Sequence, residues 1–343
     1  MSRQGRGVTL SRPGDGSWED GAAPSASQPK RRTPTLISTE EIEAWYEALP
    51  RVLSPGPARA TAGTASTPSW PARSSAWDAV SALLIRDEEV PRTQRYVVFL
   101  AAALAVLGVA EYLVAYVDAL WGLVLHGMLL LAFMLRAVYS AGPAHDLFVA
   151  LSVLPLIRLL SIAMPFWLTD QTGHFALVNL PLIVATLVAA RILRYGRSEL
   201  GLRMADPAAQ LVIVLFGPAI GFVERLIIQP AALVPELTLA AAWWPALSLL
   251  LFTGLSEELL FRGVLQTAAV RWMGAGWGIV YVSLMFGLLH MGWQSALDVA
   301  FVTVVGLFFG WAVHRTGSIV GVTFAHGAAN IFLFLVLPHV GMA

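Results

Sequence analysis

The chain has 343 residues, of which 57% are hydrophobic and only 13% charged, with a mean hydropathy of +0.68. Soluble domains carry roughly 25% charged residues, so this composition excludes a water-soluble globular protein, and a formal net charge of zero gives no footing for a nucleic-acid partner. The lack of cysteine excludes a disulfide framework, thiolate zinc sites and a cysteine nucleophile.

Residues 1–92 are rich in Gly, Pro, Ser, Ala and Arg and include the basic cluster Lys30-Arg31-Arg32. Such a segment buries too little apolar surface to offset its ordering entropy, which predicts a disordered cytoplasmic tail. Two short helices are expected in it. Ser38-Thr39-Glu40-Glu41 has capping-box spacing ahead of Ile42, Trp45, Tyr46 and Leu49, and Trp77, Val80 and Leu84 make a second, weaker stripe. They read as transient helices, with docking on a membrane surface or a partner as the alternative. The first residues are polar and basic, so the first span is expected to act as the insertion signal.

From about residue 96, apolar runs recur, each close to the roughly 20 residues a helix needs to cross the hydrocarbon. They predict an all-α, polytopic transmembrane bundle with eight or nine spans. The spans are placed at 96–116, 119–139, 147–168, 175–193, 208–228, 238–262, 276–291, 295–313 and 318–338. Residues 93–194 are read as N-terminal transmembrane helices and 195–343 as the part that carries the chemistry. Arg136, Arg191, Arg194, Arg197, Arg203, Arg271 and Arg315 fall on the side of the tail, whereas the loops near Asp118, Asp170 and Gln229–Glu236 lack Lys and Arg. This asymmetry predicts a cytoplasmic N-terminus in an inner or plasma membrane. Trp121, Trp167, Trp243 and Trp244 fall near the outer boundary, and Trp272, Trp277 and Trp311 near the inner one.

Ionisable residues inside spans are expensive and therefore candidates for function. The densest set is Glu257, Glu258 and Arg262 in span six, Phe286 and His290 in span seven, and His326 and Asn330 in span nine. Glu258 and Arg262 are four apart and can pair on one helix face. Glu257 then projects about 100° away. His326 and Asn330 also share a face, and Gly327, Ala328 and Ala329 between them allow close helix approach. If span six continues to Arg271, Glu257 and His290 lie about 20 Å, and His326 about 15 Å, from the tail side at about 1.5 Å per residue. A carboxylate, two imidazoles and an amide at one depth suit hydrolysis by activated water, with a general base and oxyanion donors.

These three motifs, Glu-Glu-x-x-x-Arg, Phe-x-x-x-His and His-x-x-x-Asn in this order, resemble those of the CPBP family. That family includes CAAX-processing endopeptidases of prenylated proteins and bacteriocin-processing or immunity membrane proteins. Ser198-Glu199-Leu200-Gly201-Leu202-Arg203 and Gly317-Ser318-Ile319 add to the likeness, which covers roughly 195–338. The resemblance implies a glutamate-dependent intramembrane endopeptidase acting on a membrane-anchored or amphipathic peptide or protein. It implies Glu257 as catalytic base, His290 as its partner on water, and His326 and Asn330 as oxyanion stabilisers. Glu258, Arg262 and Phe286 become supporting residues.

Two alternatives stay open. Zinc held by Glu257, His290 and His326 is possible chemistry, although no His-Glu-x-x-His helix is present and catalysis without a cofactor is the favoured reading. A transporter, scaffold or immunity protein could also use a protease-like core. Outside the motifs, Arg158 has Glu111 or Glu224 as candidate partners, Glu224 and the adjacent Arg225 do not face each other, and His126 has no assigned role. Gly274, Gly276 and Gly278 read as a turn and close packing.

Overall fold

The computed structural model describes residues 92–165 and 169–340. The tail, with both of its expected helices, and Trp167 lie outside the described residues. Among the described residues there is no strand, and nine helices are long and apolar enough to cross a membrane. This is an integral membrane protein, as a chain that must satisfy its backbone internally in lipid requires.

The helices are α1 (Arg92–Tyr116), α2 (Ala119–Val138), α3 (Gly142–Ala163), α4 (Gln171–Ile192), α5 (Pro207–Ile228), α6 (Leu239–Met273), α7 (Ala275–Leu288), α8 (Ala296–Thr316) and α9 (Val320–Ile331). Most of their starts are written in the sequence. Asp118, Asp170, Asp206, Thr238 and Ser295 each accept a hydrogen bond from a first-turn amide of the helix that follows. α7 runs on into a 3-10 turn, Leu289–Trp293. α9 continues through a π-wound stretch, Phe332–Val336, and a short 3-10 turn, Leu337–His339.

Two spans differ from expectation. The third begins at Gly142, because Gly142-Pro143 opens the helix and the polar His145 and Asp146 fit in its first turns. The sixth runs on to Met273, past Arg262 where it was expected to stop. Arg262 is buried and paired, so it does not mark a membrane boundary. Gly274, at φ +82°, ends the helix. Gly278 meets the backbone of α6 at Val270, where a Cβ would come within 2.8 Å, while Gly276 faces open space.

Within α6, Leu249–Leu255 and Leu259–Leu265 are π-wound and flank one normal turn, Ser256–Glu258. Such widened turns occur mostly at functional sites. α9 is the most buried span and packs on α5 and α6. It gets close because glycines replace side chains. A Cβ on Gly217 or Gly221 of α5 would stand 2.4 or 2.3 Å from the carbonyl oxygens of Ala325 and Ala329. Gly327 likewise lies against Leu250 of α6. The outer surface is apolar, with Trp121, Trp243, Trp277 and Trp311 exposed along it.

Candidate active site

The normal turn between the two π-wound stretches of α6 presents two adjacent carboxylates in different environments. Glu258 is fully buried. Its Oε1 accepts from Arg262 Nη1 at 3.0 Å and from His326 Nδ1 at 2.8 Å. Glu257 points elsewhere, as a 100° rotation requires, and its side chain keeps 26% of its exposure. Its Oε2 lies 3.9 Å from His326 Nε2, beyond hydrogen-bond length but within ion-pair range. His326 therefore stands between the two carboxylates with one nitrogen toward each.

Phe286 organises the rest. Its ring centroid is 4.3 Å from the Arg262 guanidinium carbon and 4.9, 5.0 and 6.0 Å from the rings of Phe261, His290 and His326. The aromatic faces give the buried cation a favourable partner in addition to Glu258. His290 follows one turn later, in the 3-10 turn, and its Nδ1 is 3.0 Å from the Phe286 carbonyl oxygen. A carbonyl only accepts, so Nδ1 carries the proton and Nε2 of the neutral ring is an acceptor. No hydrogen bond or ion pair joins His290 to Glu257. The two are linked only through the Phe286 and His326 rings.

Asn330 sits one turn beyond His326, and its Nδ2 donates to Thr253 Oγ1 at 2.8 Å. The Thr253 hydroxyl in turn donates to the Leu249 carbonyl inside the first π-wound stretch. An amide nitrogen has two N–H groups, so one donor of Asn330 is left for another acceptor. The expected groups of spans six, seven and nine thus come together in one cluster, except that His290 stays apart from Glu257. Among the described residues no group of three His, Asp or Glu side chains is arranged to hold a metal ion. Thr253 had no signal in the sequence. A threonine in an apolar run looks like packing until its neighbour is known.

Several buried polar atoms here lack a hydrogen-bond partner: Glu258 Oε2, Arg262 Nη2, Ser256 Oγ and Thr323 Oγ1. Native interiors leave few such atoms, and each calls for an explanation, a catalytic role among them. A cavity of about 230 Å³ opens toward the Arg271 end of α6, lined by Glu199, Arg262, Gln266, Thr267, Arg271 and His314 among others. It does not include Glu257, His290, His326 or Asn330.

The two flanking segments noted in the sequence meet at this end. Arg203 Nε donates to the Gly317 carbonyl at 3.1 Å, Ser318 Oγ to the Arg203 carbonyl at 2.7 Å, and Ile319 N to the Gly201 carbonyl at 3.0 Å. Gly201 needs its φ of +66° there, close beneath Ile319. Glu199 is held below the usual carboxylate range by its own amide, the Ser198 hydroxyl and the Gly196 amide.

Other polar residues lie outside this set. Arg158 pairs with Glu111, not Glu224: Nε to Oε1 is 3.0 Å and Nη2 to Oε2 is 2.5 Å. Arg225 instead donates to the Pro230 carbonyl, while Glu224 is buried. No curated protein and no solved structure matches the chain. Residues 239–332 do match the family model described as Rce1-like, type II CAAX prenyl endopeptidase, and that stretch holds every motif residue from Glu257 to Asn330.

Proposed function

We propose that this protein is a glutamate-dependent intramembrane endopeptidase that hydrolyses a peptide bond in a membrane-associated substrate. The observation that carries the reading is the asymmetry between the two carboxylates. Glu258 is committed to Arg262 and His326, whereas Glu257 is partly exposed with His326 Nε2 3.9 Å away. In this reading Glu257 removes a proton from water, and the Nε2 lone pair of His290 orients that water from the other side. The water oxygen attacks the scissile carbonyl. The resulting oxyanion is met by the free N–H of Asn330 and by His326. That second role requires the imidazolium, because Nδ1–H is already given to Glu258 and only the protonated ring has a second donor. Collapse of the tetrahedral intermediate returns the proton to the leaving amine.

The steps proposed use no metal. The N-terminal tail is placed on the cytoplasmic side by its basic residues, and residues 195–238 are grouped with the catalytic part through the Gly201–Ile319 clasp. Because the matched family is described as acting on CAAX prenyl substrates, a peptide ending in a prenylated cysteine motif is the substrate class to try first.

The test compares wild type with Glu257→Gln in the native host at equal expression, with protein termini quantified by mass spectrometry. Uncut precursors accumulating in the variant support the reading and name candidate substrates. Identical termini with a stable variant overturn it in favour of a transport or scaffold role.

A further inference from the structure

The 3-10 turn that carries His290 is fastened from outside the family-matched segment. At the end of a helix the last carbonyls have no intrahelical donor. At the end of α7, Leu289 O receives Arg158 Nη2 from α3 at 2.8 Å. This carbonyl belongs to the peptide group joined to the nitrogen of His290, so its direction fixes where the His290 Cα–Cβ bond points. The other side of the same turn also fits the guanidinium: a Cβ on Gly292 would sit 3.8 Å from Arg158 Nη1. Just beyond it, Gln294 Nε2 donates to the Ala115 carbonyl of α1.

Arg158 is itself held. Glu111 of α1 engages it through both oxygens, and His126 Nε2 of α2 lies 3.1 Å from Glu111 Oε1, close but off the hydrogen-bond line. Glu111 and His126 are fully buried. A planar guanidinium held in this way has a fixed orientation and can direct its remaining donor at one carbonyl, which a flexible lysine does less well. Three N-terminal helices therefore supply a group each to one brace, and the brace ends on the Leu289 carbonyl, in the peptide bond that leads into His290.

We propose that Arg158, oriented by Glu111 and His126, is a positioning residue for His290. The proposal rests on the endopeptidase reading above. Its consequence is that α1–α3 take part in catalysis by fixing the peptide group that carries the His290 imidazole.

The experiment uses the full-length protein in proteoliposomes and a quenched fluorogenic peptide ending in a farnesylated cysteine motif. Wild type, Glu257→Gln, Arg158→Lys, Arg158→Met and the double variant Glu111→Gln/Arg158→Met are compared. Arg158→Met alone strands the Glu111 charge and is expected to lose stability. The double variant removes both charges, so its unfolding temperature should recover toward wild type while kcat stays about 10–100-fold low and KM is unchanged, the mark of a misplaced catalytic group. Arg158→Lys should restore part of kcat. A second readout needs no turnover: the rate at which diethyl pyrocarbonate modifies His290, read by peptide mass spectrometry, should change in the double variant. A stable double variant with wild-type kcat and wild-type His290 modification overturns the proposal. If wild type cleaves this peptide no faster than Glu257→Gln, the prenylated-substrate reading fails, and the His290 modification rate alone decides whether Arg158 orients that ring.

Discussion

Two buried clusters in this protein are made of the same parts. In α1–α3 a glutamate, an arginine and a histidine meet at Glu111, Arg158 and His126; in α6 and α9 they meet at Glu258, Arg262 and His326. The first cluster uses both oxygens of its carboxylate. The second uses one oxygen twice and leaves the other without a partner. It also has an extra carboxylate, Glu257, that remains partly exposed. A charged group inside a membrane is thus a weak sign of chemistry by itself, since the first cluster joins the same residue types and its Glu111 and His126 are fully buried. Unpartnered polar atoms occur in both clusters, His126 Nδ1 and Nε2 in the first and Glu258 Oε2 and Arg262 Nη2 in the second, so the surplus acid is what distinguishes the candidate active site.

Substitutions can break this contrast. Glu257→Gln is expected to lower the cleavage rate by about 10²–10⁴-fold, the range for removing a general base, with no loss of unfolding temperature. A variant that unfolds instead would make Glu257 a structural group like Glu111. Arg262→Met strands Glu258 and is expected to cost about 3–5 kcal/mol of stability, measured by denaturation in detergent micelles. If Arg262→Met proved neutral, the site cluster would not depend on its ion pair. Asn330→Ala should reduce kcat by about 10²–10³-fold, as loss of one oxyanion donor does, with KM little changed in a single-substrate assay. A drop in stability alone would reassign Asn330 to its bond with Thr253.

The smallest effect is expected at the surface. Glu199 lies 3.9 Å from Arg271 and both are exposed, a geometry that contributes little. Because the folded protein holds the Glu199 carboxyl below its unfolded value, its contribution is present above the unfolded pKa and is lost as pH falls through the folded one. Glu199→Gln should therefore lower the unfolding temperature slightly at neutral pH and not at all in strong acid. A large effect at neutral pH would show that the Gly201–Ile319 clasp depends on this charge.

Much of this arrangement was legible in the sequence. The spans follow from apolar runs of the right length, and the Glu258–Arg262 pair from a spacing of four. The rotation of Glu257 away from Glu258 follows from helix geometry. Arg158 had two possible partners, Glu111 and Glu224, and sequence spacing does not choose between helices whose packing is unknown. Its bond to Leu289 O was out of reach, because every residue has a carbonyl and none announces which one is targeted. The π-wound stretches were hidden for a related reason: Leu249–Leu255 is an apolar run that any helical winding would accommodate. Arg262 misled the boundary of span six, since a charge reads as an interface until its covering rings, above all Phe286, are seen.

The length of α6 has a mechanical consequence. Its 35 residues extend about 50 Å at about 1.5 Å per residue, well beyond a hydrocarbon layer about 30 Å thick. A rod of that length meets thinner or thicker bilayers by leaning. Leaning displaces the ends of a rod far more than its middle, and Glu257 lies close to the midpoint of α6. If Glu257 is the catalytic base proposed above, the depth of cleavage is set at the fulcrum, where changes in lipid thickness alter the angle of approach but hardly the level of the acid.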